Sequence, residues 1–142
     1  MVRCDTVPEF SNYSSCSGSG YFFLESFTKP GYVLKPALRN QSLHLHQKVE
    51  NNKNLMWRFS GEFLSSKTGL VMDVFVESVF MSEKESARHG EFVFRDGKVI
   101  NTYHGTALTF DGDTGVVMEE VSEATEQVWR IVAPESSQIL LS

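Results

Sequence analysis

Thr68-Gly69-Leu70-Val71-Met72-Asp73-Val74 reads as a tight turn feeding a short apolar strand. The same arrangement stands on either side of it, as Pro30-Gly31-Tyr32-Val33-Leu34 and as His104-Gly105-Thr106-Ala107-Leu108. The three turn glycines, Gly31, Gly69 and Gly105, are 38 and 36 positions apart. A second marker has nearly the same period: the aromatics Trp57, Phe94 and Trp129 are 37 and 35 apart. Two independent markers with one spacing define three copies of a single unit.

Each copy holds four short segments rich in Val, Phe, Leu and Thr, broken by Gly-containing turns. Copy one runs through Phe22-Phe23-Leu24, Tyr32-Val33-Leu34, Leu43-His44-Leu45 and Met56-Trp57-Arg58-Phe59. Copy two follows with Phe63-Leu64-Ser65, Leu70 to Val74, Ser78-Val79-Phe80-Met81 and Phe92-Val93-Phe94. Copy three has Lys98-Val99-Ile100, Thr106-Ala107-Leu108, Gly115-Val116-Val117-Met118 and Val128-Trp129-Arg130-Ile131. Short strands with regular turns indicate an all-β sandwich or barrel. A four-stranded unit cannot bury its apolar face alone, so the copies must share one core, with the three repeat aromatics in equivalent inward positions. A three-bladed propeller is disfavoured, because propellers carry at least four blades. The polar run from Met81 to His89 reads as a loop or one helical turn.

Composition agrees. At 142 residues, 41% of them hydrophobic, the chain suits one domain with a substantial core. Ser11 to Gly20 is rich in Ser and Gly, so residues 1–19 are expected to form a flexible arm, and residues 20–142 the domain. Cys4 and Cys16 lie in that arm, as two free thiols or as a pair. The net charge of -5 argues against nucleic acid as a partner. No apolar run approaches the roughly 20 residues of a membrane span. The start is too polar for a secretory signal, which points to the cytoplasm, or to secretion if the chain is a processed form.

The repeat pattern resembles the β-trefoil fold, and specifically the ricin-B-like lectin family, from Gly20 to about Val132. Gln127-Val128-Trp129 matches that family's Gln-x-Trp motif, and Gly69-Leu70-Val71-Met72-Asp73-Val74 matches its second strand. Leu55-Met56-Trp57 keeps the Trp alone, and Phe92-Val93-Phe94 keeps an aromatic. The resemblance implies three four-stranded repeats with pseudo-threefold symmetry. It also implies a non-catalytic carbohydrate-binding module, with a glycan of the galactose or N-acetylgalactosamine type as partner and no cofactor.

A sugar site of this family combines an Asp that accepts from vicinal hydroxyls, an aromatic platform on the third strand and an Asn beside Gln-x-Trp. Sugars need such polar partners together with a flat apolar surface. Carried over position by position, copy two offers Asp73, then Ser82 as platform, then Glu91. Copy one offers Lys35, His46 and Asn54; copy three offers Thr109, Glu119 and Glu126. No copy keeps the whole set. Asp73 with Glu91, and His46 with Asn54 and Lys35, are the candidate carbohydrate contacts. An imidazole can both stack and hydrogen-bond.

Other chemistry finds little support in the residues. His44 and His46 share a strand face, but no third ligand completes a metal set. Asp111-Gly112-Asp113-Thr114-Gly115 lacks the remaining ligands of a calcium loop and reads as a turn. No nucleophile elbow, metalloprotease motif or Cys-His pair is legible, so an enzyme is not expected. Copy one is basic and copy three acidic, which suits a charged partner or a homodimer. The alternative to a lectin is a protein-binding trefoil, such as a protease inhibitor or a cytoskeletal adaptor.

Overall fold

The computed structural model describes residues 20–134. The expected arm over 1–19, the question of Cys4 and Cys16, and residues 135–142 lie outside them. Twelve strands follow in chain order: β1 (Tyr21–Ser26), β2 (Tyr32–Lys35), β3 (His44–Gln47), β4 (Trp57–Ser60), β5 (Phe63–Ser65) and β6 (Val71–Phe75), then β7 (Ser78–Ser82), β8 (Phe92–Arg95), β9 (Lys98–Asn101), β10 (Thr106–Asp111), β11 (Gly115–Glu120) and β12 (Trp129–Val132). They fall four to a copy, as the repeats predict. The polar run after β7 contains one 3-10 turn, Lys84–Ser86.

The first and last strands of each copy close a ring. β1 pairs with β4, β4 with β5, β8 with β9, and β12 returns to β1, all antiparallel. The two remaining joints are shorter, the one between β5 and β8 being an isolated antiparallel bridge of Phe63 with Glu91. The Phe92 N–H donates to the Glu62 carbonyl at 2.9 Å, and the Trp129 N–H donates to the Gly97 carbonyl at 2.7 Å. Gly97 follows Asp96 in the two-residue turn between β8 and β9, and both have positive φ, 54° for Asp96 and 78° for Gly97. An Asp-Gly pair is suited to that geometry.

The middle strands form three hairpins, β2–β3, β6–β7 and β10–β11. They touch one another in turn. Gly115 of β11 pairs with His44 of β3, Ser42 bridges to Phe80 of β7, and the Met118 N–H donates to the Glu77 carbonyl at 2.9 Å. One apolar cluster joins ring and hairpins, with Trp57, Phe92 and Trp129 from the ring meeting Leu34, Met72 and Leu108 from the hairpins.

The repeat aromatics Trp57, Phe94 and Trp129 are all buried. Trp57 Nε1 donates to the Leu34 carbonyl at 2.9 Å, and Trp129 Nε1 donates to the Leu108 carbonyl at 3.0 Å. Leu34 and Leu108 occupy the same place after their repeat glycines, so the symmetry extends to single hydrogen bonds. Gln127 is fully buried; its Nε2 donates to the Glu120 carbonyl at 2.8 Å, and its Oε1 accepts from the Ser122 N–H at 2.9 Å. It thereby fastens the exit of β11 to the turn before β12. The other two copies place buried Leu55 and Phe92 at that position and substitute apolar packing for the polar staple.

Candidate functional site

Copy one brings three of its expected contacts into one cleft. Lys35, His46 and Asn54 line a depression of about 610 Å³, together with His44 and Leu38. Strand pairing sets the first of these: Lys35 stands opposite His44, and Val33 opposite His46. Along β3 both histidines are exposed while Leu45 is buried, the period-two pattern of a strand with one face on the core.

Asn54 arrives from elsewhere. It sits in the 3-10 turn Lys53–Leu55, where its own N–H donates to the Asn52 side chain at 3.0 Å. Leu55 and Met56 then bury against Phe23 and Val33. That apolar anchor holds the turn against the hairpin and delivers Asn54 to the cleft.

Copy two contributes to the same cleft. Ser66, Lys67 and Thr68, from the turn between β5 and β6, complete the lining. That turn is ordered by a Ser66 to Thr68 hydroxyl contact at 2.9 Å and by the Gly69 N–H on the Ser66 carbonyl at 3.0 Å. The loop from Pro36 to Ser42 is tied down on its far side, where the Asn40 N–H donates to the Met81 carbonyl at 2.7 Å and Arg39 pairs with Glu83 at 3.0 Å.

Copy two departs from the expected arrangement. Asp73 is only 3% exposed, and both carboxyl oxygens are already engaged. Oδ1 accepts from the Val74 and His89 N–H groups, each at 2.9 Å. Oδ2 accepts from the Ser82 hydroxyl at 3.1 Å and the Arg88 N–H at 3.3 Å. The segment after β7 has closed over the carboxyl, so a sugar hydroxyl could reach it only by displacing two backbone donors. Asp73 serves as an internal anchor here, and Ser82, at the family's platform position, is one of its buried partners. Asp73 does not join the cleft residues.

Glu91 has an exposed side chain and does not line the copy-one cleft. The neighbouring Glu62 carboxylate, through charge repulsion and a shared hydrogen bond, holds its carboxyl above the usual range. Its backbone carbonyl is also used, accepting from the Thr102 N–H at 3.0 Å.

One feature escaped the sequence reading. His89 stacks on Tyr103 with centroids 3.9 Å apart, and His104 meets both rings edge-on at 4.9 Å. Asn101, fully buried, organises the group: Nδ2 donates to the His89 carbonyl at 2.7 Å, and Oδ1 accepts from the His104 N–H at 3.1 Å. Tyr103 is 70% exposed. The only signal in the sequence was the adjacent pair Tyr103-His104 before Gly105. Among the described residues, no group of three His, Cys, Asp or Glu side chains could hold a metal ion, and no helix is long and apolar enough to cross a membrane.

No protein-family model matches the chain, and no curated protein sequence does either. Solved structures do match. The β-trefoil lectin of the Vibrio vulnificus hemolysin/cytolysin, solved with N-acetyl-D-lactosamine bound, superposes with a TM-score of 0.72 at 14% identity, over 82% of this chain and 96% of that one. The C-half of the earthworm R-type lectin, in complex with GalNAc, gives 0.68 at 12% identity, over 80% and 98%. ThreeFoil, a designed threefold-symmetric protein, gives 0.69 at 18% identity, over 80% and 99%. With the closed ring and the three repeat hairpins, these likenesses make the chain a β-trefoil that shares its fold with ricin-B-type lectin domains.

Proposed function

We propose that this chain is a carbohydrate-binding module without catalytic activity, and that the copy-one cleft is its sugar site. The observation that carries the reading is the convergence of Lys35, His46 and Asn54 in one depression. These are the positions from which the resemblance implies sugar contacts, and folding gathers them from β2, β3 and the turn before β4. The His46 imidazole offers a flat ring, Asn54 both donates and accepts, and Leu38 and Pro36 supply apolar wall. The neighbouring folds support the same reading, since two of them were solved holding N-acetyl-D-lactosamine and GalNAc.

A glycan array with galactose and N-acetylgalactosamine competition tests it. Binding should be saturable and should fall at least about tenfold in a triple Lys35→Ala, His46→Ala, Asn54→Ala variant with an unchanged melting temperature. Binding that survives the triple substitution would place the site elsewhere.

A protein-binding role is the second reading, and one observation favours it. The tip of the β6–β7 hairpin exposes two large apolar side chains, Phe75 at 69% and Val76 at 65%. A saturable protein partner that sugars do not displace, and that Phe75→Ser releases, would decide for it.

A further inference from the structure

We infer that the copy-one cleft selects an acidic sugar, a pyranose bearing a carboxylate or a sulfate ester, over its neutral parent. The inference rests on the carbohydrate reading of that cleft and concerns which sugar it takes. Its basis is the sign of the lining. Lys35 of copy one and Lys67 of copy two both line the cleft, together with His44 and His46, and no Asp or Glu lines it.

Neither lysine is neutralised. Among the described residues, Lys35 and Lys67 have no ion pair or hydrogen bond through their ammonium groups, whereas the nearby Arg39 is paired with Glu83 and Lys48 with Glu25. Lys53, beside Asn54, lies over the Tyr21 ring at 5.4 Å instead, which leaves Lys35 and Lys67 as the lysines that line the cleft.

Hydrogen-bond polarity points the same way. The resemblance implies a carboxylate at the position of Lys35, which would accept from two vicinal hydroxyls. An ammonium has three donors and no acceptor. A ligand there must bring acceptor oxygens, and a carboxylate or sulfate brings several together with the opposite charge. The remaining polar lining, Asn54, Gln41 and the Ser66 and Thr68 hydroxyls, can serve the neutral hydroxyls of the same ring.

The experiment is a calorimetric series on the full chain with four probes: a neutral galactoside, its sulfated form, its sialylated form and inorganic sulfate. The sulfated or sialylated sugar should bind at least about tenfold more tightly than the neutral parent, and raising the salt from 50 to 500 mM should erode most of that margin. The two acidic sugars distinguish a sulfate ester from a carboxylate as the preferred group. In Lys35→Gln/Lys67→Gln the ratio of acidic-sugar to neutral-sugar affinity should fall to about one, whatever the change in either absolute affinity. Both sites are at the surface, and an unchanged melting curve checks the fold.

Equal affinity for neutral and acidic sugars overturns this inference and leaves the carbohydrate reading standing. A margin that survives the double substitution also overturns it. Failure of every pyranose to bind removes the carbohydrate reading itself. Inorganic sulfate binding as tightly as the sulfated sugar shows an ion site without sugar selectivity, and likewise overturns the inference.

Discussion

Trp57 is bound to Leu34 through the main chain: its indole N–H donates to the Leu34 carbonyl at 2.9 Å inside the core. The bond joins a ring strand to a cap hairpin, and Trp129 repeats it on Leu108. Phe94 fills the third position without a donor, so the frame tolerates its loss. Trp57→Phe should therefore lower stability by about 1 kcal/mol, the net value of one hydrogen bond. Trp57→Ala, which also empties a large buried volume, should lower it by about 3–5 kcal/mol. Urea denaturation monitored by circular dichroism measures both.

Asp73→Ala separates an anchoring role from a sugar contact. The substitution leaves the Ser82 hydroxyl and the N–H groups of Arg88 and His89 without their acceptor. A loss of more than about 3 kcal/mol is expected. Glycan binding at the copy-one cleft should persist in whatever fraction stays folded. Loss of binding with unchanged stability would return Asp73 to the sugar site.

Glu25 makes stability depend on acid. Burial pushes its carboxyl up, but the Gly31 N–H, the Arg130 guanidinium and the Lys48 ammonium outweigh burial, and its pKa lies below the ordinary 4.5. The Arg130 contact is 2.6 Å and the Lys48 contact 3.4 Å. A carboxyl lowered by folding contributes stability that is fully present above its unfolded pKa and is lost as pH falls through the folded one. Stability should thus decline below about pH 4.5. Glu25→Gln should flatten that decline in melting temperatures measured from pH 3 to 7.

Val76 has a φ of 56°, in the left-handed region, at the first position of the β6–β7 turn. A β-branched side chain is strained there. Val76→Gly should raise stability by about 0.5–1 kcal/mol, the relief of strain outweighing the added freedom of the unfolded chain. If the protein-binding reading holds, the same variant should bind its partner more weakly while melting at a higher temperature. Thermal denaturation and a pull-down on one preparation report both quantities.

The fold could be read from the chain because turn glycines and core aromatics answer to local rules that repeat with the unit. Gly31, Gly69 and Gly105 mark turns by their own conformational freedom, and Trp57, Phe94 and Trp129 mark the core by their bulk. Half of the cleft was legible for the same reason, since Lys35, His46 and Asn54 belong to one copy. Lys67 was not, because it comes from the next copy and approaches only once the ring closes. The fate of Asp73 depended on a polar segment, Glu83 to His89, whose path carries no periodic signal. The grouping of His89 with Tyr103 and His104 depended in turn on Asn101, a buried amide whose partners are carbonyl and N–H groups that any residue would supply.

The indole locks have a consequence for how the molecule can change. Each grips a peptide carbonyl and not a side chain, and so is indifferent to what its hairpin displays. The copy-one hairpin carries Lys35 and the copy-three hairpin Thr109 at one equivalent position, and the indole bond holds both to the ring. These two hairpins behave as exchangeable modules on a common socket, and one can acquire a new ligand while the other keeps its duties.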